Sequence, residues 1–308
     1  MPLHIQTPLL ESRAIPRRDG QRIWMKMEAL QPPGSFKIRG IGYACQLYQQ
    51  RGARRFISSS GGNAGIAVAY AGRHLDVPVV VVVPETTSER ARQLIRQENA
   101  ELVVYGSSWQ EANELAQSMQ SEGDAFLHPF DDPLLWQGHA SMIDEVAASG
   151  LQPDAVVLSV GGGGLLCGVV EGLQRNGWGG VPVVAVETLG ADSLHQSLQQ
   201  NARIQLPGIS SIATSLGARQ VCEQSLILSE RHPLQSLVVS DHQALQACER
   251  FLDDHRMLVE PACGATLALA YEQQDVLAGY RNLLLIVCGG VTASYQQIQQ
   301  WQTDHRGS

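Results

Sequence analysis

Short aliphatic runs bounded by glycine, proline or polar residues recur along the chain: "RRFISSS" (54–60), "VPVVVVV" (77–83), "AELVVYG" (100–106), "DAVVLSV" (154–160), "VPVVAVET" (181–188) and "NLLLIVCGG" (282–290). Each has strand length and an apolar centre, and most are nearly unbroken in aliphatic residues, the pattern of strands covered on both faces. Between them lie stretches of helical period. "NAGIAVAYAGRHL" (63–75) is one, and "ERARQLIRQENA" (89–100), opened by Thr87 or Ser88 as N-cap, is another. Strands alternating with helices predict an α/β chain built from βαβ units with parallel sheets. The strands between residues 54 and 105 form one block, which closes near "HPFDDPLLWQGHAS" (128–141), where Pro129 and Pro133 punctuate the chain; a second strand series begins at Ala155. We therefore expect a smaller domain, residues 41–132, inserted into a larger one made of residues 1–40 and 133–308, with ligands in the crevice between them.

Composition narrows the function class. A chain of 308 residues with 44% hydrophobic and 17% charged residues is expected to pack an enzyme-sized core. The net charge is −8, and "RGARR" (51–55) is the densest basic run, so no electrostatic footprint for nucleic acid or an anionic membrane is present. The six cysteines form no CxxC pair and read as reduced, mostly buried thiols. The start "MPLHIQTPLL" lacks the signature of a secretory leader, and the longest aliphatic run is far too short to span a bilayer. A cytoplasmic location is expected.

Four stretches could carry chemistry. "DAVVLSVGGGGLLCGVVEGL" runs from a strand through Gly161, Gly162, Gly163 and Gly164 into a helix. Successive glycines let several backbone N–H groups approach one anion beside the positive helix N-terminus, which predicts a phosphate cradle. The third glycine of a dinucleotide fingerprint would fall at Leu166, and no GK[ST] follows, so a smaller phosphorylated cofactor fits better. "SSSGGNAGIAVAYAG" (58–72) is a second such turn, suited by its hydroxyls, amides and Asn63 to a carboxylate, or else an ST-turn that caps its helix. Cys288 and Glu187 end buried strands; each could serve a site or be structural, the thiol as inert core and the carboxylate as a helix cap rather than a cation ligand. His128 and His139 read as hydrogen-bonding residues rather than metal ligands. In "GSFKIRG" (34–40), Lys37 taken alone reads as a surface cation, and Arg39 finds no role.

A lysine after a glycine turn, two anion loops and a strand-end thiol together make up a pyridoxal phosphate site. At this point the sequence resembles the fold-type II pyridoxal phosphate enzymes, most closely the liver-type L-serine dehydratase (L-serine ammonia-lyase) family. The match runs in order through "TPLL", "QPPGSFKIRGIG", "SSGGNAG", "PFDDPLLWQGHAS", "LSVGGGGLLCGVVEGLQ", "VETLGADS", "SLGA", "RMLVEPACGA" and "IVCGG".

The resemblance implies two open, twisted, mostly parallel sheets with helices on both faces, similar to the tryptophan synthase β subunit. It implies that Lys37 carries the cofactor covalently and acts as catalytic base, that Phe36 flanks the ring, and that Asn63 bonds the ring's 3-oxygen. Gly161 to Gly164 with Leu165 would hold the phosphate, Cys288 would face the pyridine nitrogen, and Ser215 would lie beside the cofactor. Ser59, Ser60, Gly61, Gly62 and Asn63 would form the substrate-carboxylate loop of a small domain that closes on an amino acid. A monovalent cation, usually potassium, would take oxygens from Gly161, Glu187, Ala191, Ser193, Leu216 and Ala218. A homodimer is expected because relatives form one. A neutral thiol cannot keep the pyridine nitrogen protonated as an aspartate would, which weakens the electron sink and favours prompt β-elimination over transamination. The expected reaction is L-serine to pyruvate and ammonia, with L-threonine giving 2-oxobutanoate. Gly61 stands where the liver enzyme has alanine and some relatives serine, and Ser215 replaces an alanine. Threonine dehydratase, serine racemase and a β-replacing synthase are the rival activities, and a non-catalytic binding relative is the rival class.

Overall fold

In the computed structural model, which describes residues 1–305, the strands form two separate sheets. The larger has six: β1 (Leu9–Ser12), β2 (Arg22–Lys26), β7 (Ala155–Ser159), β8 (Val183–Thr188), β9 (Leu234–Val239) and β10 (Asn282–Ile286), in the order β1-β2-β10-β7-β8-β9. Only β1 runs antiparallel to its neighbour. The smaller sheet is wholly parallel, with β3 (Arg55–Ser58), β4 (Val79–Val83), β5 (Glu101–Val104) and β6 (Asp124–Phe126) in the order β5-β4-β3-β6.

Strand alternation decides where the cores lie. All five valines of β4 are buried, but on opposite sides of the sheet. Val79, Val81 and Val83 pack with Phe56 and with the helices Lys37–Gln50 and Asn63–Leu75, while Val80 and Val82 pack with Ile57 and with Ala112 and Ala116 of the helix Trp109–Ser118. Each such valine contributes about 2 kcal/mol of burial, enough that β4 tolerates no polar residue. The larger sheet has its own core, in which Ile23, Val157, Val184 and Leu284 meet the helices Pro133–Ala148, Gly164–Arg175 and Pro261–Tyr271.

The helices begin where local chemistry dictates. The Ser88 hydroxyl accepts from the Ala91 amide at the start of Glu89–Gln97. Asp132 accepts from the Leu134 amide, and Pro133 occupies the first turn of Pro133–Ala148. β1, β2, β6 and β9 are not foreseen from the aliphatic runs. β6 has three residues, β1 and β9 are edge strands of mixed polarity, and β2 carries Lys26 into the interior, buried against Glu145.

Both sheets reverse their strand order beside one strand. In the small sheet, β4 and β5 build outward from one side of β3 and β6 returns to the other; in the large sheet, β8 and β9 build outward from β7 and β10 returns to its other side. The carboxyl ends of β3, β7 and β10 therefore open onto crevices, the places where parallel α/β sheets receive ligands.

Candidate active site

Lys37 sits where two chain segments pair. After β10, the backbone of Gly289 forms an isolated bridge with Ser35, the Phe36 amide donates to the Cys288 carbonyl (3.0 Å) and the Gly290 amide to the Gly34 carbonyl (3.2 Å). Gly34 makes this possible: its φ is +80°, and a Cβ there would lie 2.3 Å from Val291 Cβ. The chain then enters the helix Lys37–Gln50, whose first residue is Lys37. Its Nζ donates to the Pro129 carbonyl at 2.7 Å and lies 5.2 Å from the centre of the Phe36 ring. Packing around the amine lowers its pKa to about 8; Cys288 and Glu260 pull it back up but do not win. The Cys288 thiol is buried, and the neighbouring Cys263 thiol together with burial pushes its pKa well up, so it stays neutral.

The loop after β7 is packed at every glycine. A Cβ on Gly162 would enter the Phe130 ring at 2.2 Å, one on Gly163 would lie 1.9 Å from Ser225 Oγ, one on Gly164 2.8 Å from the Phe130 carbonyl, and one on Gly161 3.0 Å from Leu216 Cα. Gly163 also has φ +96°. The Gly162 carbonyl is buttressed by the Cys222 amide at 2.9 Å. Among the described residues, no acceptor serves the amides of Gly161 to Leu165. They belong to a tightly packed loop at the start of the helix Gly164–Arg175, an arrangement suited to a phosphate.

The loop after β3 lies on the small sheet. Ser59 is buried and its hydroxyl donates to Asn113 Oδ1 (2.7 Å), whereas the Ser60 hydroxyl accepts from the Gly62 amide (3.3 Å). Asn63 opens the helix Asn63–Leu75 and reaches across to the large sheet, its Nδ2 donating to Glu260 Oε1 (2.7 Å) and to Ser215 Oγ (3.4 Å). Its Oδ1 is buried without a partner. Glu260 precedes the helix Pro261–Tyr271 and accepts also from the Thr292 hydroxyl; burial raises its pKa against these hydrogen bonds. Ser215 in turn lies beside Gly161, so Lys37, Cys288, Glu260, Asn63, Ser215 and the glycine loop form one continuous surface.

Glu187 is the last residue but one of β8, next to the strand that delivers Gly161. It is fully buried, and its two oxygens accept from the amides of Leu194 (2.8 Å) and His195 (2.7 Å), so it caps the helix Ser193–Gln200. Burial nevertheless raises its pKa to about 8. Ser193 Oγ beside it is buried without a partner. Ala191 is held by a bridge to Thr188, and the Ala218 amide donates to the Leu216 carbonyl (2.8 Å). Among the described residues, no group of three or more His, Cys, Asp or Glu side chains could hold a metal ion. His128 Nδ1 accepts from the amides of Phe130 and Asp131, and His139 Nδ1 from that of Gly40.

Known proteins with this arrangement settle its class. The family model described as "Pyridoxal-phosphate dependent enzyme" matches residues 1–289. The chain belongs to this family. Among members of known sequence, it is 46% identical to the L-serine dehydratase/L-threonine deaminase of Homo sapiens over 309 residues, covering 97% of this chain and 94% of that one. It is 47% identical to the serine dehydratase-like protein of Mus musculus, with the same coverage of each chain. A fungal L-serine ammonia-lyase from Rhizomucor miehei superposes with a TM-score of 0.93 at 36% identity, over 98% of this chain and 99% of the other.

The pyridoxal phosphate family also accounts for what the surface leaves unsatisfied. Amides without acceptors suit a phosphate, the orphaned Asn63 oxygen suits a polar ring substituent, and an amine with pKa about 8 holds far more of its neutral form near neutral pH than an ordinary lysine does. The residues present fit the cofactor. Sequence reasoning missed Glu260, Pro129 and Phe130. All three lie inside motifs quoted above, but a Glu before a helical proline reads as a cap, and a backbone carbonyl or a ring packed on glycine leaves no sequence signal.

Proposed function

We propose that this protein is a pyridoxal-phosphate-dependent L-serine ammonia-lyase, which eliminates water from L-serine to yield pyruvate and ammonia and acts likewise on L-threonine to give 2-oxobutanoate. The observation that carries the reading is a lysine amine of lowered pKa, tied by backbone pairing to a neutral strand-end thiol between two anion loops. The relatives named for serine dehydration support the substrate.

In this reading the amides of Gly161 to Leu165 hold the cofactor phosphate, Phe36 and Ser215 flank the ring, Asn63 meets its 3-oxygen and Cys288 faces its nitrogen. The bound cofactor supplies an electron-withdrawing ring that acidifies the Cα proton of the amino acid. Lys37 Nζ is the covalent attachment point and, once released, the base that takes that proton. Desolvation is what keeps the amine neutral enough to do so. The substrate carboxylate is gripped by Ser60 and by the backbone of Gly61, Gly62 and Asn63, while Ser59, bonded to Asn113, braces the loop from behind. Cys288, a neutral thiol, would not hold a proton on the ring nitrogen as a carboxylate would, which would favour β-elimination over transamination. Gly61 offers no side chain as a second base, which disfavours racemisation.

The finer features belong to the same proposal. The small unit, residues 41–132, closes on the substrate. A monovalent cation, potassium by preference, takes oxygens from Gly161, Glu187, Ala191, Ser193, Leu216 and Ala218; the orphaned Ser193 hydroxyl and the raised pKa of Glu187, which a cation would offset, support it. The protein works as a cytoplasmic homodimer.

The test is oxo-acid release from L-serine, L-threonine and D-serine by the purified enzyme. L-Serine is expected to be turned over fastest, and Lys37→Ala to lower kcat by about 10³-fold or more while abolishing the visible absorbance of the cofactor-bound protein. Faster release from L-threonine would make it a threonine dehydratase; a protein that takes up no pyridoxal phosphate would sink the proposal.

A further inference from the structure

Two residues beyond Lys37, Arg39 is fully buried in the first turn of the same helix. Its guanidinium is saturated. Nε and Nη2 donate to the two oxygens of Glu28 (2.7 and 2.8 Å), Nη1 and Nη2 to the two oxygens of Glu145 (2.7 Å each), and Nη1 also to Ser141 Oγ (2.9 Å). With Thr7 Oγ1, 3.4 Å from Nη2, the five N–H groups meet six acceptors, and four of these bonds form two bidentate forks that only arginine can make. Lys26 on β2 joins Glu145 and donates to the Thr7 carbonyl (2.7 Å), and the Thr7 hydroxyl donates to Glu28 Oε1 (2.6 Å). Two cations and two carboxylates balance in a quartet of which Arg39, Lys26 and Glu28 are buried and Glu145 is partly buried.

Such quartets add little net stability over apolar packing of the same volume, because desolvation consumes the attraction. What they do provide is a single geometry. Every partner of Arg39 lies outside the small sheet: Thr7 and Glu28 flank β1 and β2, and Ser141 and Glu145 lie on the helix Pro133–Ala148. Yet Ile38 and Ile41 of the same helix belong to the small-sheet core. Positions i and i+2 project from nearly opposite sides of a helix, so a fork clamped at 39 fixes the rotation of the first turn and hence the direction in which 37 leaves it.

We propose that Arg39 is a positioning residue: its double fork to Glu28 and Glu145 sets the helical rotation that aims the Lys37 amine into the cofactor cleft. The proposal rests on the reading of Lys37 as the covalent attachment point. Lysine at 39 would keep the charge but lose the forks, leaving the first turn free to rotate.

The experiment measures how fast the full-length chain, stripped of cofactor, captures added pyridoxal phosphate at Lys37, read by borohydride reduction and peptide mass across pH. Capture by the unmodified chain at Lys37, with a midpoint near pH 8, tests the underlying reading; failure there is a failure of Lys37 itself. Three variants then test Arg39: Arg39→Lys, the charge-balanced double variant Arg39→Met with Glu28→Gln, and Lys26→Met, which removes the other cation of the quartet from Glu145 Oε2 but leaves every donor of Arg39 in place. Both Arg39 variants are expected to capture about tenfold more slowly or worse, because small misplacements of a reacting group carry penalties of that size, with the midpoint moved up towards that of an ordinary lysine. Lys26→Met is expected to lower Tm but to stay within about twofold in rate. Folded Arg39 variants that capture like the unmodified chain would overturn the proposal. So would slowing by Lys26→Met equal to that of Arg39→Lys, or failure of both Arg39 variants to fold while Lys26→Met folds, since the quartet would then serve stability alone.

Discussion

The two glycine-rich turns look alike in sequence and differ in their surroundings. Both leave the carboxyl end of a strand beside the point where its sheet reverses order, and both run into a helix. After β7, however, each of four consecutive glycines is pressed against another part of the molecule: Phe130, Ser225, Leu216. After β3, Gly62 has nothing within reach of an added Cβ, and Gly61 would meet only the side chain of Thr87. That loop crosses to the large sheet through Asn63, which bonds Glu260 and Ser215. The rigid turn suits a group that stays bound between turnovers; the loose turn suits one that comes and goes. A glycine run therefore says that backbone approaches something closely, but only packing tells whether the approach is permanent.

The sharpest way to break this contrast is Gly163→Ala. A methyl group at φ +96° and 1.9 Å from Ser225 Oγ is expected to destabilise the protein by about 3 kcal/mol and to weaken retention of pyridoxal phosphate by about a hundredfold, measured by Tm and by equilibrium dialysis. An unchanged affinity would mean that the loop is not a fixed cradle. Next in size is Glu260→Gln, which replaces the carboxyl acceptor that holds Asn63 across the crevice; kcat for L-serine is expected to fall about tenfold with Tm nearly unchanged. Exchanging potassium for lithium at constant ionic strength should lower Tm by a few degrees, and Glu187→Gln should erase that difference; equal melting in both salts would remove the cation from the site. The smallest effect is expected for Gly62→Ala, whose backbone is extended and whose surroundings are open. Cofactor affinity should stay within about twofold and KM for L-serine within about threefold. A large loss there would erase the distinction between the two turns.

What the sequence made legible follows the strength of local signals. The six aliphatic runs all became strands, and the helices Asn63–Leu75 and Glu89–Gln97 form where the period places them, the second with Ser88 as its cap. The family likeness, carried by motifs spread over most of the chain, gave the class of chemistry. Long-range pairing is what a single sequence hides. β2 reads poorly because Lys26 interrupts it, and Lys26 is tolerated only because Glu145 waits 119 residues away. Arg39 finds no role in sequence because its partners are at 7, 28, 141 and 145. Glu187 shows the converse: its position at a strand end was legible, but only the structure reveals that both its oxygens already cap a helix.

The helix Lys37–Gln50 starts against the loop that follows β10 and buries its body in the small-sheet core. In the closure proposed for residues 41–132, the small sheet would turn about a point near the start of that helix, and displacement vanishes at a pivot while it grows with distance along the arm. The Ser59 to Asn63 loop would then ride out on that arm, with the lysine at the fulcrum. A closure of this kind would open one side of the crevice to substrate while the backbone pairing of Phe36 with Cys288 keeps the amine and the thiol together.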